Sequence, residues 1–108
     1  MTVQLPKAIQ GYYEAANAHD STRLSECFAE DAVVFDEGHE YHGVDAIKMW
    51  NQEITKRYAL TLEVLSVQEE EGQIRVTAMA TGNFDGSPAA LDSRFTVENQ
   101  KITCLRCG

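Results

Sequence analysis

The apolar positions of the chain follow first a helical and then an alternating rhythm. From Leu5 they recur at Ala8, Ile9, Tyr12 and Ala16, the one-sided stripe of an amphipathic helix. Pro6 suits its first turn, where a missing N–H has no intrahelical partner. The helix is expected to stop near "NAHD", with Asp20 as N-cap of a short second helix showing Leu24, Cys27 and Phe28 to the core. "AVVF" (32–35) then reads as a β-branched strand, "DEG" as a turn, and "HEYH" as a second short strand ending at Gly43. From Val44 to about Tyr58 the helical period returns, with Ile47, Trp50, Ile54 and Tyr58 on one stripe.

The second half alternates. "ALTLEVLSV" carries Leu60, Leu62 and Val64 on one side, then slips phase to Leu65 and Val67, which predicts a bulge near residues 64 and 65. "QEEEGQ" is a polar hairpin turn in which Gly72 supplies a permissive φ. "IRVTAMAT" turns Ile74, Val76, Ala78 and Ala80 to one face. After the loop "GNFDGSP", "LDSRFTV" does the same with Leu91, Ser93, Phe95 and Val97. "ENQK" is another turn, and "ITCLRCG" is a last strand with Thr103, Leu105 and Cys107 on the inward parity. Helices gathered in the first half and a meander in the second imply one α+β domain over 1–108, with helices packed on one face of a curved antiparallel or mixed sheet.

Composition narrows the partners. A chain of 108 residues is long enough to bury one real core, about 65% of the surface of its unfolded form. A net charge of −8 with nine Lys and Arg argues against nucleic acid and against an anionic membrane surface, and favours a small neutral or cationic ligand. No run approaches a membrane span, and "MTVQLPKAIQ" has neither the basic nor the apolar region of a signal peptide. Three cysteines do not suggest a disulfide framework, so an intracellular, cytoplasmic setting is expected.

"YYEAANAHD", "LSECFAEDAVVFDEG", "YHGVDAIKMW" and "GNFDGSP", in this order and spacing, resemble the nuclear transport factor 2-like superfamily, which includes SnoaL-like domains and the ketosteroid isomerases. The resemblance spans nearly the whole chain. It implies a cone, in which a strongly bent sheet wraps the helices around one deep pocket, and a homodimer paired through the outer sheet face. Isomerase chemistry uses a carboxylate base and an oxyanion hole built from a tyrosine and a protonated aspartic acid. The resemblance places the tyrosine at Tyr12, five residues before Asn17, and the base at Asp36, at the strand end. Gapless matching would place the acid at Asp92. Strand parity turns Asp92 outward beside Arg94 and puts Ser93 inward, because a one-residue slip would expose the whole apolar face. Asp36 is then the sole expected pocket acid.

Asp36 reads either as a general base or as a turn-starting carboxylate bonded to nearby backbone. Tyr12 is either an oxyanion donor or a core aromatic. Trp50 and the inward Phe28, Ser93, Phe95 and Leu105 are the expected ligand wall, with His39 at the rim. His39 and His42, three apart on extended backbone, face opposite ways and are not expected to form a metal site. "CLRC" lies on a strand rather than at the helix start that redox pairs use, and Cys27 reads as helix core. The expected function is proton transfer on a small hydrophobic carbonyl compound, isomerase- or polyketide-cyclase-like, with no cofactor. The alternative is a non-catalytic ligand-binding or dimerisation module of the same fold.

Overall fold

A computed structural model describes residues 5–107. The expectations for the opening segment, residues 1–4, and for the close of the last strand at Gly108 lie outside the described residues. The helical stripes become α1 (Lys7–Asn17), α2 (Ser21–Ser25) and α3 (Val44–Tyr58). The alternating stretches become β1 (Phe28–Asp36), β2 (His39–His42), β3 (Thr61–Glu70), β4 (Gln73–Thr81), β5 (Ala89–Glu98) and β6 (Lys101–Cys107). One curved sheet runs in the order β2-β1-β6-β5-β4-β3, with β1 and β6 parallel and every other pair antiparallel. The architecture is α+β, with the helices packed on the sheet's inner face. No helix among the described residues is long and apolar enough to cross a membrane.

Three tight turns set the register. Glu37–Gly38, Glu71–Gly72 and Asn99–Gln100 all have positive φ at both positions. These are type I′ turns, whose twist matches that of the strands they join. The first of them ends β1 at Asp36 and pairs it directly with His39. The β3–β4 ladder slips between Val64 and Ser66, leaving Leu65 as the extra, exposed residue of the expected bulge.

The second helix is shorter than its apolar pattern suggests. Asp20 caps it, accepting from the Arg23 backbone N–H at 3.1 Å. Beyond Ser25, the Ile102 N–H donates to the Cys27 carbonyl (2.9 Å), so β6 draws this segment into the sheet and Phe28 opens β1. Cys27 is only half-buried, outside the helix. A tether absent from the pattern reading joins α1 to β3. Asn17 Nδ2 donates to the Leu62 carbonyl (2.8 Å), and its Oδ1 accepts from the Leu62 N–H (2.7 Å).

Across the inner face Val34, Leu105 and Phe95 are neighbours in register, and all three are fully buried. Asp92 lies on the outer face, as parity requires, but it is not paired with Arg94. Thr77 stands directly opposite Asp92, and its hydroxyl donates to Asp92 Oδ1 at 2.6 Å.

Candidate functional site

The next row of the inner face, towards the turn that ends β1, is polar. Asp36 and Cys107 each follow the Phe35–Arg106 pair, Cys107 is opposite Ser93, and Ser93 is opposite Val76. This row borders a cavity of about 500 Å³ between the sheet and the helices. Tyr12 and Tyr13 enter it from α1, and Trp50 and Asn51 from α3. Leu60, Leu62, Ala78, Phe84 and Leu91 make its wall largely apolar. Among the described residues that line it there is no Lys, Arg or His.

Asp36 is held from one side. The Trp50 indole Nε1–H donates to Asp36 Oδ2 at 2.9 Å, which satisfies the one polar atom of a nearly buried tryptophan. Oδ1 has no protein partner. Among the described residues no buried side-chain oxygen or nitrogen is left without one. Asp36 Oδ1 therefore reaches open space, and Asp36 lines the cavity. The same reasoning opens the hydroxyl of Tyr12 to the cavity, since its side chain is buried and its hydroxyl has no protein partner, whereas the Tyr13 hydroxyl meets Ser93 at the cavity wall.

Burial holds the Tyr12 phenol well above its ordinary pKa, reinforced by Cys107, Tyr13 and Asp36 nearby. Burial likewise raises Tyr13, with Cys107 adding and the Ser93 hydroxyl opposing. Cys107 is pushed up by burial and then by the Asp36 carboxylate, again with Ser93 opposing. The site therefore presents one carboxylate oxygen facing phenol and thiol groups that keep their protons. Such groups can donate to an oxygen on which negative charge develops.

The structure brings Asp36, Tyr12, Trp50 and Ser93 together around one cavity. Phe28, Phe95 and Leu105 are instead core residues behind it. Phe28 and Phe95 pack edge-on against the Tyr12 ring, with centroids 6.0 and 5.4 Å away, so the tyrosine screens them from the cavity. Leu105 is fully buried on the sheet beneath. His39 is exposed at the turn end of the edge strand β2 and does not line the cavity. Tyr13, off the main helical stripe, is also buried, and its ring packs against those of Tyr12 and Phe95. Asp36 is not the sole acid, because Glu37, at φ 51°, lines the rim beside it. A second groove of about 360 Å³ shares Asp36, Glu37, Trp50, Ile54 and Tyr58 with this cavity. The Trp50–Asp36 bond had a legible signal, since a tryptophan on a buried stripe needs an acceptor for its N–H.

Residues 9–105 match the family model of the SnoaL-like domain, and the chain belongs to that family. Its structure superposes on that of a candidate polyketide cyclase from Sinorhizobium meliloti with a TM-score of 0.91 and 36% identity, covering 96% of this chain and 95% of the other. A Catenulispora acidiphila protein with a ketosteroid isomerase-like fold, in complex with trimethylamine, gives 0.81 at 16% identity, covering 97% and 86%. A nuclear transport factor 2-like protein from Cytophaga hutchinsonii gives 0.78 at 14% identity, covering 100% and 93%. The last two share the fold alone. Among curated proteins none matches the chain.

The raised Cys107 and Tyr13 fix the sign of the alkaline response. The unfolded chain releases these protons near the ordinary values of 9.0 and 10.0, before the folded protein does. Above pH 9.0 the unfolded state thus binds fewer protons, and stability falls as pH rises. Urea unfolding across this range should show that loss, and Cys107→Ala should flatten its first part. An equal loss in Cys107→Ala would contradict the assignment.

Proposed function

We propose that the cavity binds a small hydrophobic carbonyl compound and that Asp36 moves a proton on it. The observation that carries this reading is the carboxylate itself, tied at Oδ2 by Trp50 and free at Oδ1 in a largely apolar cavity that two protonated phenols line. Asp36 Oδ1 takes a proton from the carbon beside the carbonyl. The C–H electron pair moves into the carbon framework, and charge collects on the carbonyl oxygen, which accepts a hydrogen bond from Tyr12 or Tyr13. The enolate then either regains the proton from Asp36 at another carbon, an isomerisation, or attacks a second carbonyl of the same molecule to form a carbon–carbon bond, the resulting alkoxide taking the proton back from Asp36, a cyclisation. The 36% identity to a candidate polyketide cyclase favours the second outcome.

A test needs no knowledge of the natural substrate. A bicyclic ketone such as a decalone in deuterated water should exchange its α-protons faster with the protein than without it. Asp36→Asn should slow the protein-dependent exchange by about a hundredfold or more, and Tyr12→Phe and Tyr13→Phe identify the donor. Exchange unchanged in Asp36→Asn removes the proposed base. Binding without any exchange would favour the alternative, a ligand-binding module.

The outer sheet face supports a second proposal, a homodimer. Arg75, Arg94 and Arg106 are direct cross-strand neighbours there, and like charges so placed repel. Arg75 is paired with Glu70 (3.2 Å), and Arg94 and Arg106 have no ion pair among the described residues. Asp92 is two residues from Arg94 on the same face of β5. A two-fold axis between them would set Arg94 against the partner's Asp92 reciprocally, the self-complementarity such an interface requires. Sedimentation at low salt should give twice 12.0 kDa and Arg94→Glu a monomer; a monomeric wild type at high concentration refutes the pairing.

A further inference from the structure

One buried amide in the cavity wall has no part in the proton transfer. Asn51 follows Trp50 on α3 and is only 5% exposed. Its Oδ1 accepts a hydrogen bond from the Ser21 hydroxyl, at the start of α2, at 2.8 Å. In this arrangement Oδ1 is the half of the amide turned to Ser21. Nδ2 carries two donor hydrogens and has no protein partner. Since no buried side-chain nitrogen among the described residues is unsatisfied, Nδ2 must reach open space, and the cavity is the space that Asn51 lines.

An asparagine that merely tied α2 to α3 would need only its oxygen. A buried donor half with nothing to bond is unfavourable unless something in the cavity accepts from it. Trp50 and Asn51 are adjacent on the helix, about 100° apart around its axis. Trp50 reaches across to β1 and Asp36, whereas Asn51 turns to α2. Asp36 and Asn51 thus enter the cavity from different elements, the acid from the end of β1 and the amide from the α2–α3 junction.

We infer that Asn51 is a specificity-determining donor, selecting ligands that carry a second acceptor oxygen remote from the one at which charge develops. The substrate class sharpens from a hydrophobic carbonyl compound to a hydrophobic compound with two separated carbonyl or ether oxygens. This rests on the cavity being the ligand site, as proposed above, and not on Asp36 being a base. A site built to hydrogen-bond a ligand oxygen discriminates against the analogue that lacks it, because its own donor is then left unpaired.

The chain's single tryptophan lines the cavity, so its fluorescence reports occupancy directly. The probes are a decalone, with one carbonyl, and the isomeric decalindiones, with a second carbonyl at different separations. Titrations should show the best dione binding about fivefold or more tighter than the decalone. Asn51→Leu should erase that preference, bringing the dione and decalone affinities within about twofold of each other. Asn51→Asp keeps the shape and the Ser21 bond but replaces donor by acceptor, and it should also lose the preference. A wild type without preference, or a preference kept in either variant, overturns the inference even if Asp36-dependent exchange is observed. Absence of quenching by any probe overturns it together with the ligand-site reading. Loss of exchange alone, with the dione preference intact, leaves it standing.

Discussion

The hydrogen bond between the Trp50 indole and Asp36 is the constraint on which the site depends. It joins the middle of α3 to the last residue of β1 across the cavity mouth at 2.9 Å. Each partner needs the other. A nearly buried tryptophan must place its N–H against an acceptor, and a carboxylate at the edge of an apolar space is stabilised by a donor. The bond occupies one carboxylate oxygen and so determines which oxygen remains without a protein partner. It also fixes the rotation of α3, which in turn decides that Asn51 meets Ser21 at α2.

The sheet register supplies the rest of the arrangement. The type I′ turn at Glu37–Gly38 ends β1 at Asp36. The parallel pairing of β1 with β6 then brings Cys107 alongside, and β5 brings Ser93. One row deeper, Val34, Leu105 and Phe95 close the core, and Phe95 and Phe28 brace the Tyr12 ring from behind. Phe28 and Phe95, expected to touch a ligand, thus pack against the tyrosine instead. Asn17, bonded twice to Leu62, anchors the far end of α1, the helix that carries both phenols.

Much of the fold was legible because periodicity and turn chemistry are local. The stripe through Ile9 and Tyr12, the bulge at Leu65, the inward side of Ser93 and the outward side of Asp92 all follow from spacing alone. What spacing does not distinguish is a core from a cavity wall. Phe95 and Leu105 share the inward parity of Ser93 and Cys107, yet only the latter pair lines open space. His39 shares the face of Asp36 but sits on the edge strand, where its side chain is exposed. Phe28 reaches the core as expected but opens β1 instead of closing α2, because pairing with β6, distant in sequence, overrides the local helical pattern there. The amide of Asn51 carries no local signal, because its significance depends on Ser21, thirty positions away.

The indole N–H of Trp50 gives the most direct test of the account, since the chain has one tryptophan and hence one such resonance in a proton–nitrogen correlation spectrum. With the bond to Asp36 in place, the signal should lie downfield and exchange slowly with solvent. In Asp36→Ala, with the backbone amide pattern otherwise preserved, it should move upfield and exchange faster. An indole signal that keeps its position and protection in that variant would show that Trp50 does not hold Asp36, and the proposed site would lose its organising contact.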